Sequence, residues 1–186
     1  MTEKELMLAG EMYDPGDPEL VAGRMRARTL CYQINHLSPE KEIERDELIH
    51  QLFGSAGINA WVEPNFQCDY GCNIHVGENF YANFDCTILD VCPVTIGRDC
   101  MLAPKVGIYT ATHPLSAAAR YSGREYAKPI TIGDRCWLGA GCIILPGVTL
   151  GDEVVVAAGA VVTKSWGSRL VLAGNPAKPV KQLPQE

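Results

Sequence analysis

Apolar side chains follow helical spacing in the first 55 or so residues of the chain. Thr2 and Glu5 have the spacing of a capping box, which predicts a first short helix that ends near Gly10. Asp17 followed by Pro18 combines an N-cap with a proline at the first helical position and predicts a second helix. The apolar face of this second helix comprises Leu20, Ala27, Cys31 and Ile34.

A third helix is predicted by a similar start signal, Ser38-Pro39-Glu40. Its apolar stripe, which stops at Gly54, comprises Leu48, Ile49, Leu52 and Phe53. Residues 1–58 therefore form an N-terminal helical region.

The apolar period changes to six from about Trp61 onward. Six residues separate each of Ile132, Leu138, Ile144, Leu150, Val156 and Val162 from the next. The same period fits Val76, Ala82 and Ile88 and, after a slip of two residues, Ile96, Leu102 and Ile108. A helix repeats about every 3.6 residues and cannot carry this period, whereas a solenoid with one short parallel strand per hexad can. We therefore predict a mainly β protein whose residues 59–186 form such a solenoid.

One long insertion interrupts the repeat at residues 112–129. It carries a polar and aromatic set unlike the hexads on either side: Arg120, Tyr121, Arg124, Glu125 and Tyr126. Because loops that project from a rigid scaffold often carry binding groups, this insertion is a candidate functional segment.

Most of the eight cysteines fit the repeat. The fifth position of the hexads is occupied by Cys86, Cys92, Cys100, Cys136 and Cys142. Free cysteine packs as a small apolar residue, so we expect these five in the core. Cys68 and Cys72 lie outside the clean repeat and have the spacing of half a zinc site, but no second pair completes it, and a structural role is favoured. We expect no metal.

Charge and hydropathy exclude several classes of partner. The formal net charge of −6 argues against a nucleic-acid-binding surface. No apolar run reaches the roughly 18 residues that span a bilayer, and no signal-peptide segment follows Met1, which predicts a cytoplasmic protein without a membrane partner. Between Glu153 and Glu186 there is no acidic residue, and the basic residues of this stretch, which can hold an anionic ligand, are Lys164, Arg169, Lys178 and Lys181.

Several short motifs accompany the repeat along nearly the whole chain: Thr2-Glu3-Lys4-Glu5, Asn59-Ala60-Trp61-Val62-Glu63-Pro64, Tyr81-Ala82-Asn83-Phe84, Thr110-Ala111-Thr112-His113-Pro114, Trp137-Leu138-Gly139 and Gly174-Asn175-Pro176-Ala177. Together with the period of six, they resemble those of the hexapeptide-repeat acyltransferases, and within them the maltose and galactoside O-acetyltransferases. The resemblance implies a left-handed parallel β-helix of triangular cross-section that assembles as a homotrimer, with active sites between neighbouring subunits.

The same resemblance assigns the catalytic residues. Attack of an alcohol on a thioester needs a base within reach of the hydroxyl, and histidine suits neutral pH. His113 matches the family's catalytic histidine, which takes the proton as the sugar oxygen attacks acetyl-CoA directly. Asn83 matches the asparagine that touches both substrates, although a turn residue satisfying its own coil is the alternative. The backbone amide of Ala140 matches the donor to the oxyanion.

For acetyl-CoA, the resemblance implies contacts with Asn83, Trp137, Ala140, Ala158, Thr163, Lys164, Lys178 and Lys181. Lys178 and Lys181 stand where galactoside enzymes carry arginines, so they keep the charge without the bidentate fork. A solvated basic tail is the alternative for the two lysines, and packing between coils is the alternative for Trp137.

For the sugar, the candidates are Asp14, Asp69, Asn83 and Glu125. Asp69 stands where galactoside enzymes have serine, Val91 where they have aspartate, and Glu125 where they have methionine. These departures favour maltose or glucose, acetylated on the 6-hydroxyl, over a galactoside. A galactoside or a xenobiotic stays open as the acceptor.

Two other classes use the same repeat. A carbonic anhydrase of this fold needs three histidines around zinc, whereas only His75 and His113 lie in the repeat region. A non-catalytic scaffold would keep the period of six but has no reason to keep His113, Asn83 and the basic tail together.

Overall fold

A computed structural model of the chain describes residues 1–185. Its helices are α1 (Glu3–Leu8), α2 (Pro18–His36), α3 (Glu42–Leu52) and, inside the later insertion, the single turn α4 (Ala117–Arg120). The strands that follow α3 form a solenoid of short parallel strands, as the period of six predicts. Within the described residues, no helix is both long and apolar enough to cross a bilayer.

The first two helix starts agree with the sequence. Thr2 accepts a hydrogen bond from the Glu5 amide, and the Glu5 carboxylate accepts one from the Thr2 amide, which completes the capping box. Asp17 accepts hydrogen bonds from the amides at the start of α2. The predicted apolar face of α2 is buried throughout.

The predicted start of the third helix is wrong by several residues. Helix α3 begins at Glu42, and its N-cap, Lys41, makes no side-chain capping bond. Ser38-Pro39-Glu40 instead forms a turn that is closed when the Lys41 amide donates to the Ser38 carbonyl at 3.0 Å. Ser-Pro favours turn initiation as well as helix initiation, and here the turn is adopted.

Three sheets form the faces of the solenoid. The first face consists of β1 (Ser55–Ala56), β4 (Ile74–Val76), β7 (Val94–Ile96), β12 (Ile130–Ile132) and β15 (Thr149–Leu150). The second consists of β2 (Trp61–Val62), β5 (Tyr81–Ala82), β8 (Met101–Leu102), β13 (Trp137–Leu138), β16 (Val155–Val156), β18 (Leu170–Gly174) and β19 (Ala177–Gln182). The third consists of β3 (Gln67–Cys68), β6 (Thr87–Leu89), β9 (Gly107–Tyr109), β14 (Ile143–Ile144) and β17 (Val161–Val162).

A short hairpin, β10 (Ala111–Thr112) and β11 (Tyr126–Ala127), forms the base of the insertion. Strand β1 lies before residue 59, so the first coil starts inside the range predicted as the helical region. At the other end, β19 runs antiparallel to β18 and closes the second face.

The solenoid interior holds one row of apolar side chains from each face. All twelve residues of the predicted six-residue period are buried, and so are the five cysteines at the fifth hexad position. Cys68 is also buried and continues the inward row of the third face, in register with Ile88. The cysteines of the repeat are therefore core residues, as predicted.

The helical region covers the open N-terminal end of the solenoid. Phe53 packs edge-on against Phe66 and Phe80, which lie beneath it in the first coils. Asn35 of α2 clamps the same coil, because its Nδ2 donates to the Phe66 carbonyl at 2.9 Å and its Oδ1 accepts from the Phe66 amide at 3.1 Å. The helices thus act as a cap, which solenoid ends require.

The outward rows of two faces differ in polarity. The outward row of the first face is polar: Ser55, His75, Thr95, Thr131 and Thr149. The outward row of the second face is apolar: Trp61, Tyr81, Met101, Trp137, Val155 and Val171. Met101 is 53% exposed and Trp137 51% exposed. We call this second row the apolar column.

Truncating an inward residue is expected to destabilise the protein strongly. Ile144 is fully buried in the third face, so Ile144→Ala should lower the free energy of unfolding by about 2–5 kcal/mol through lost burial and a residual cavity. Thr131→Ala, on the outward row of the first face, serves as the control and should change it by less than about 0.5 kcal/mol. Urea unfolding of both variants checks this, and equal losses would contradict the inward register.

Candidate active site

Asn83 lies at the corner between the second and third faces, immediately after β5. Its backbone amide donates to the Leu102 carbonyl of the next coil at 2.9 Å, and its Oδ1 accepts from the Phe84 amide at 2.8 Å. The side-chain carboxamide therefore satisfies part of its own turn while its Nδ2 remains available for a ligand. We refer to this edge of the solenoid as the Asn83 corner.

Ala140 and Ala158 occupy successive turns of the same corner. The two turns are joined by a hydrogen bond from the Gly159 amide to the Ala140 carbonyl at 2.9 Å. A Cβ on Gly139 would lie 2.6 Å from the Val156 carbonyl oxygen, so only glycine permits this spacing between coils. The amides of Ala140 and Ala158 donate to no acceptor within residues 1–185, and both residues are exposed. Each therefore has a backbone N–H donor without a partner at this corner.

His113 lies at a different corner, between the third and first faces, where the insertion leaves the solenoid. We refer to this edge as the His113 corner. Here Val76 follows Cys68, and Ile96 follows Ile88, by eight residues instead of six. The insertion enlarges the same corner in the next coil. Three successive coils therefore carry extra chain at this one edge.

The His113 side chain is 54% exposed and faces a carboxylate. Its Nε2 lies 3.6 Å from Oε2 of Glu125, the residue just before β11 of the insertion hairpin. Oε1 of Glu125 accepts a short hydrogen bond from the Tyr13 hydroxyl. The backbone amides and carbonyls of Tyr13 and Glu125 also exchange hydrogen bonds, at 3.0 and 3.3 Å. Tyr13 thus fixes the Glu125 carboxylate through Oε1, while Oε2 faces the His113 imidazole.

Tyr13 is a site residue that the sequence did not reveal. It is fully buried, and burial together with the hydrogen bond to Glu125 raises the pKa of its hydroxyl above its usual value. The hydroxyl therefore stays protonated and remains a donor. In the sequence Tyr13 stands in a turn motif, and its partner lies 112 residues away, so no local pattern marks it.

Asp69 lies in the first of the enlarged turns of the His113 corner. It is half-buried, and burial followed by the nearby Glu125 carboxylate raises its pKa, against the opposing effect of Arg24. Asp14 follows Tyr13 directly; it is exposed, and its Oδ1 accepts from the Gly16 amide at 2.8 Å. The structure therefore brings Glu125 to His113 and Asp69 within electrostatic reach of Glu125, with Asp14 next to Tyr13 in the chain.

Asp90 is a buried acidic residue that the sequence also did not reveal. It is 0% exposed, and its carboxylate accepts hydrogen bonds from the amides of Asp69, Tyr70 and Asn73 at 3.0, 2.9 and 3.3 Å. Burial raises its pKa to about 7, although the Tyr70 and Asn73 amides oppose the shift. The slip of two residues after Ile88 marks its place in the sequence, but not its contacts.

The predicted cofactor residues are divided among three places. Thr163 and Lys164 follow β17 at the His113 corner, and the Lys164 ammonium lies 4.7 Å from the centre of the Trp166 ring. Trp137 lies in the apolar column, whereas Lys178 and Lys181 are exposed on β19 at the end of the second face. Asn83, Ala140 and Ala158 lie at the Asn83 corner. One chain alone does not gather this set.

The residues predicted to be catalytic are divided in the same way. His113 lies at one edge of the third face, and Asn83 and Ala140 lie at the other. A site that uses all three therefore needs a second surface, which a neighbouring copy of the chain can supply.

The alternatives involving metal gain no support from side-chain placement. Within residues 1–185 no three His, Cys, Asp or Glu side chains are grouped to hold a metal ion. Cys68 faces Cys31 of α2, with the two sulfur atoms 3.6 Å apart, whereas Cys72 is exposed in the following turn. Cys68 and Cys72 therefore lie in different surroundings.

Comparison with known proteins gives matches along the whole chain. Residues 6–57 match the family model of the maltose acetyltransferase hexapeptide capping motif, and residues 129–164 match the hexapeptide repeat of succinyl-transferase. The galactoside O-acetyltransferase of Escherichia coli is 42% identical over 98% of this chain and 89% of its own length.

Two solved structures superpose closely. A maltose O-acetyltransferase from Clostridium difficile is 49% identical with a TM-score of 0.98, covering 100% of this chain and 99% of its own. A galactoside acetyltransferase in complex with coenzyme A is 41% identical with a TM-score of 0.95, covering 99% of this chain and 92% of its own. With the hexapeptide solenoid, its helical cap and these full-length matches, the chain belongs to the maltose/galactoside O-acetyltransferase family of hexapeptide-repeat acyltransferases.

Proposed function

We propose that the protein transfers an acetyl group from acetyl-CoA to a hydroxyl of maltose, glucose or a related sugar, with His113 as the general base. The observation that carries this proposal is the exposed His113 imidazole beside Glu125, at the enlarged corner of an acetyltransferase solenoid. The 6-hydroxyl is the expected position, because a primary hydroxyl is the least hindered one on the sugar.

The chemistry needs one proton to move twice. His113 takes the proton of the acceptor hydroxyl as the oxygen attacks the thioester carbonyl, which forms a tetrahedral intermediate. The carbon–sulfur bond then breaks, and the imidazolium returns the proton to the departing thiolate. No cysteine is required as an acyl carrier, in keeping with the buried positions of the repeat cysteines.

The negative oxygen of that intermediate requires a donor already in place. The free N–H of Ala140 suits this role, and Asn83 Nδ2 is available at the same corner to orient the acceptor or the thioester. The free N–H of Ala158, one coil away, suits a carbonyl of the pantetheine arm.

Acetyl-CoA binding is assigned to residues of all three places described above, which a site shared between copies of the chain would bring together. Trp137 provides an apolar wall, Thr163 a hydroxyl, and Lys164 a charge close to the groove. Lys178 and Lys181 on β19 offer further positive charge for the phosphates. Lysine contacts a phosphate as a point charge, so this grip is less directional than that of arginine.

The acceptor is assigned to the carboxylates near His113. Asp69, Glu125 and Asp14 can each accept a hydrogen bond from a sugar hydroxyl, and Asn83 can donate one. Glu125 is restrained by Tyr13, so it presents one fixed oxygen toward both the imidazole and the acceptor.

A homotrimer is the assembly that fits best, because the candidate site residues of each chain are divided between the Asn83 corner and the His113 corner. The apolar column leaves Met101 and Trp137 half-exposed, whereas the first face presents threonines to solvent. Covering the column with a second copy would bury this apolar surface and bring an Asn83 corner toward a neighbouring His113 corner. The eight free cysteines suit the reducing cytoplasm, where we place the protein.

Purified protein should release CoA from acetyl-CoA when given maltose or glucose. His113→Ala should lower kcat by about 100-fold or more, because a positioned general base contributes a factor of about 100 to 10,000. Thiol release with a panel that also contains galactosides and a hydroxylated xenobiotic measures both rate and preference. His50→Ala, which changes an exposed histidine of α3, is the control and should keep full activity. Full activity in His113→Ala would disprove the mechanism.

Charge placed in the apolar column should break the assembly. Met101→Glu is expected to convert the protein from a trimer of about three times 20.3 kDa to a monomer, with loss of activity. Sedimentation equilibrium measures the mass. Thr95→Glu, on the outward row of the first face, should leave the trimer unchanged. A wild-type monomer that is fully active would refute the shared site.

Removing the Tyr13 hydroxyl should loosen Glu125. Tyr13→Phe is expected to lower the free energy of unfolding by about 1–3 kcal/mol, because a buried carboxylate oxygen loses its donor. The KM for the sugar should rise as Glu125 loses its fixed position. Tyr32→Phe, which alters an exposed tyrosine of α2, supplies the comparison and should change neither quantity. An unchanged sugar KM in Tyr13→Phe would remove Glu125 from the acceptor site.

A further inference from the structure

We propose that Asp90 is a positioning residue that sets the acceptor-binding turn at residues 69–73. The proposal rests on the function inferred above, in which Asp69 contacts the acceptor. Asp90 itself is fully buried, so it acts on the acceptor through Asp69 and not by direct contact.

The Asp90 carboxylate replaces a missing stretch of strand pairing. Strand β3 ends at Cys68, and the next strand of the solenoid begins at Ile74, so residues 69–73 lack ladder partners. Both Asp90 oxygens are used there: Oδ1 accepts from the amides of Asp69 and Tyr70, and Oδ2 from that of Asn73. Three amides that would otherwise be unpaired are thus directed at one side chain.

Asn73 strengthens the same connection from the other side. Its Nδ2 donates to the Asp90 carbonyl at 2.7 Å, so the two segments are joined through a side chain from each. Tyr70 is further held by Arg24, whose guanidinium donates to its hydroxyl at 2.7 Å. The direction of the Asp69 side chain therefore follows from the position of Asp90.

The coil beneath carries a second buried polar side chain. Thr110 is fully buried at the start of the insertion, where its hydroxyl donates to the Leu89 carbonyl at 2.6 Å and accepts from the Cys92 amide at 3.0 Å. Leu89 and Cys92 flank Asp90 in sequence. The segment that carries Asp90 is thereby tied both to the Asp69 turn above it and to the base of the His113 hairpin below it.

Asp90→Asn tests this role with little change of volume. The remaining carbonyl oxygen can still accept from the Asp69 and Tyr70 amides. The new NH2 group, however, faces the Asn73 backbone N–H, and two donors cannot form a hydrogen bond with each other. We expect a rise of about tenfold in the KM for the sugar, since a displaced hydrogen bond is typically worth about that factor. The KM for acetyl-CoA should stay within about twofold, because its proposed contacts lie elsewhere.

Hydrogen exchange gives a readout that does not depend on activity. In Asp90→Asn the amides of Asp69, Tyr70 and Asn73 should exchange about tenfold faster or more, whereas those of the inner strands should not change. If Asp90→Asn does not fold, Asn73→Ala removes the hydrogen bond from the Asn73 side chain to the Asp90 carbonyl. This variant should also raise the KM for the sugar and speed the exchange of the same amides.

Asn35→Ala is the matched control, because Asn35 also clamps a backbone segment of the first coil, at Phe66, away from the His113 corner. It should lower stability without raising the sugar KM. An equal rise in Asn35→Ala, or unchanged exchange at the three amides in Asp90→Asn, would overturn the proposal. If the wild-type protein acetylates no sugar, the proposed function fails, whereas the exchange measurement still decides the role of Asp90.

Discussion

The structure depends on one constraint: each coil must place its inward apolar residue directly above the one before it. Parallel pairing fixes this register on all three faces, as where Ile144 pairs with Ile108 on one side and Val162 on the other. A shift of one residue would turn the buried set toward solvent, so the register is strongly specified. The corners are free of this requirement, since their residues need only return the chain to the next face.

That freedom explains where the functional groups lie. At the His113 corner three successive coils carry additional residues, and the inward rows continue undisturbed on both sides of them. The largest addition is the hairpin that holds His113 and Glu125. The additional residues lie only at this corner, where they leave the packing of the core unchanged. The additional residues leave backbone amides and carbonyls at that edge without strand partners. The buried side chains of Asp90 and Thr110 form hydrogen bonds with these groups.

The sequence predicted the parts of the structure that obey a local period or a local cap. The hexads, the buried cysteines and the start of α2 follow from spacing alone, because each reports a short-range requirement. The third helix was predicted too early, since Ser38-Pro39 serves a turn as well as a helix start. The roles proposed for His113 and Asn83 came from family resemblance, and their placement on separate corners required the structure. Tyr13 and Asp90 could not be found from spacing, because their partners are distant in sequence or are backbone amides.

The antiparallel return of β19 along β18 has a consequence for the length of the molecule. A parallel solenoid presents an open ladder at its last coil, onto which another copy could stack end to end and continue without limit. Strand β19 occupies the ladder of the second face, and its exposed outer edge carries Lys178, Pro179 and Lys181, which disfavour pairing with another strand, while the helices cover the first coil. End-to-end stacking is therefore disfavoured, and any contact between copies at the sides can close into a ring of defined size instead of a fibre.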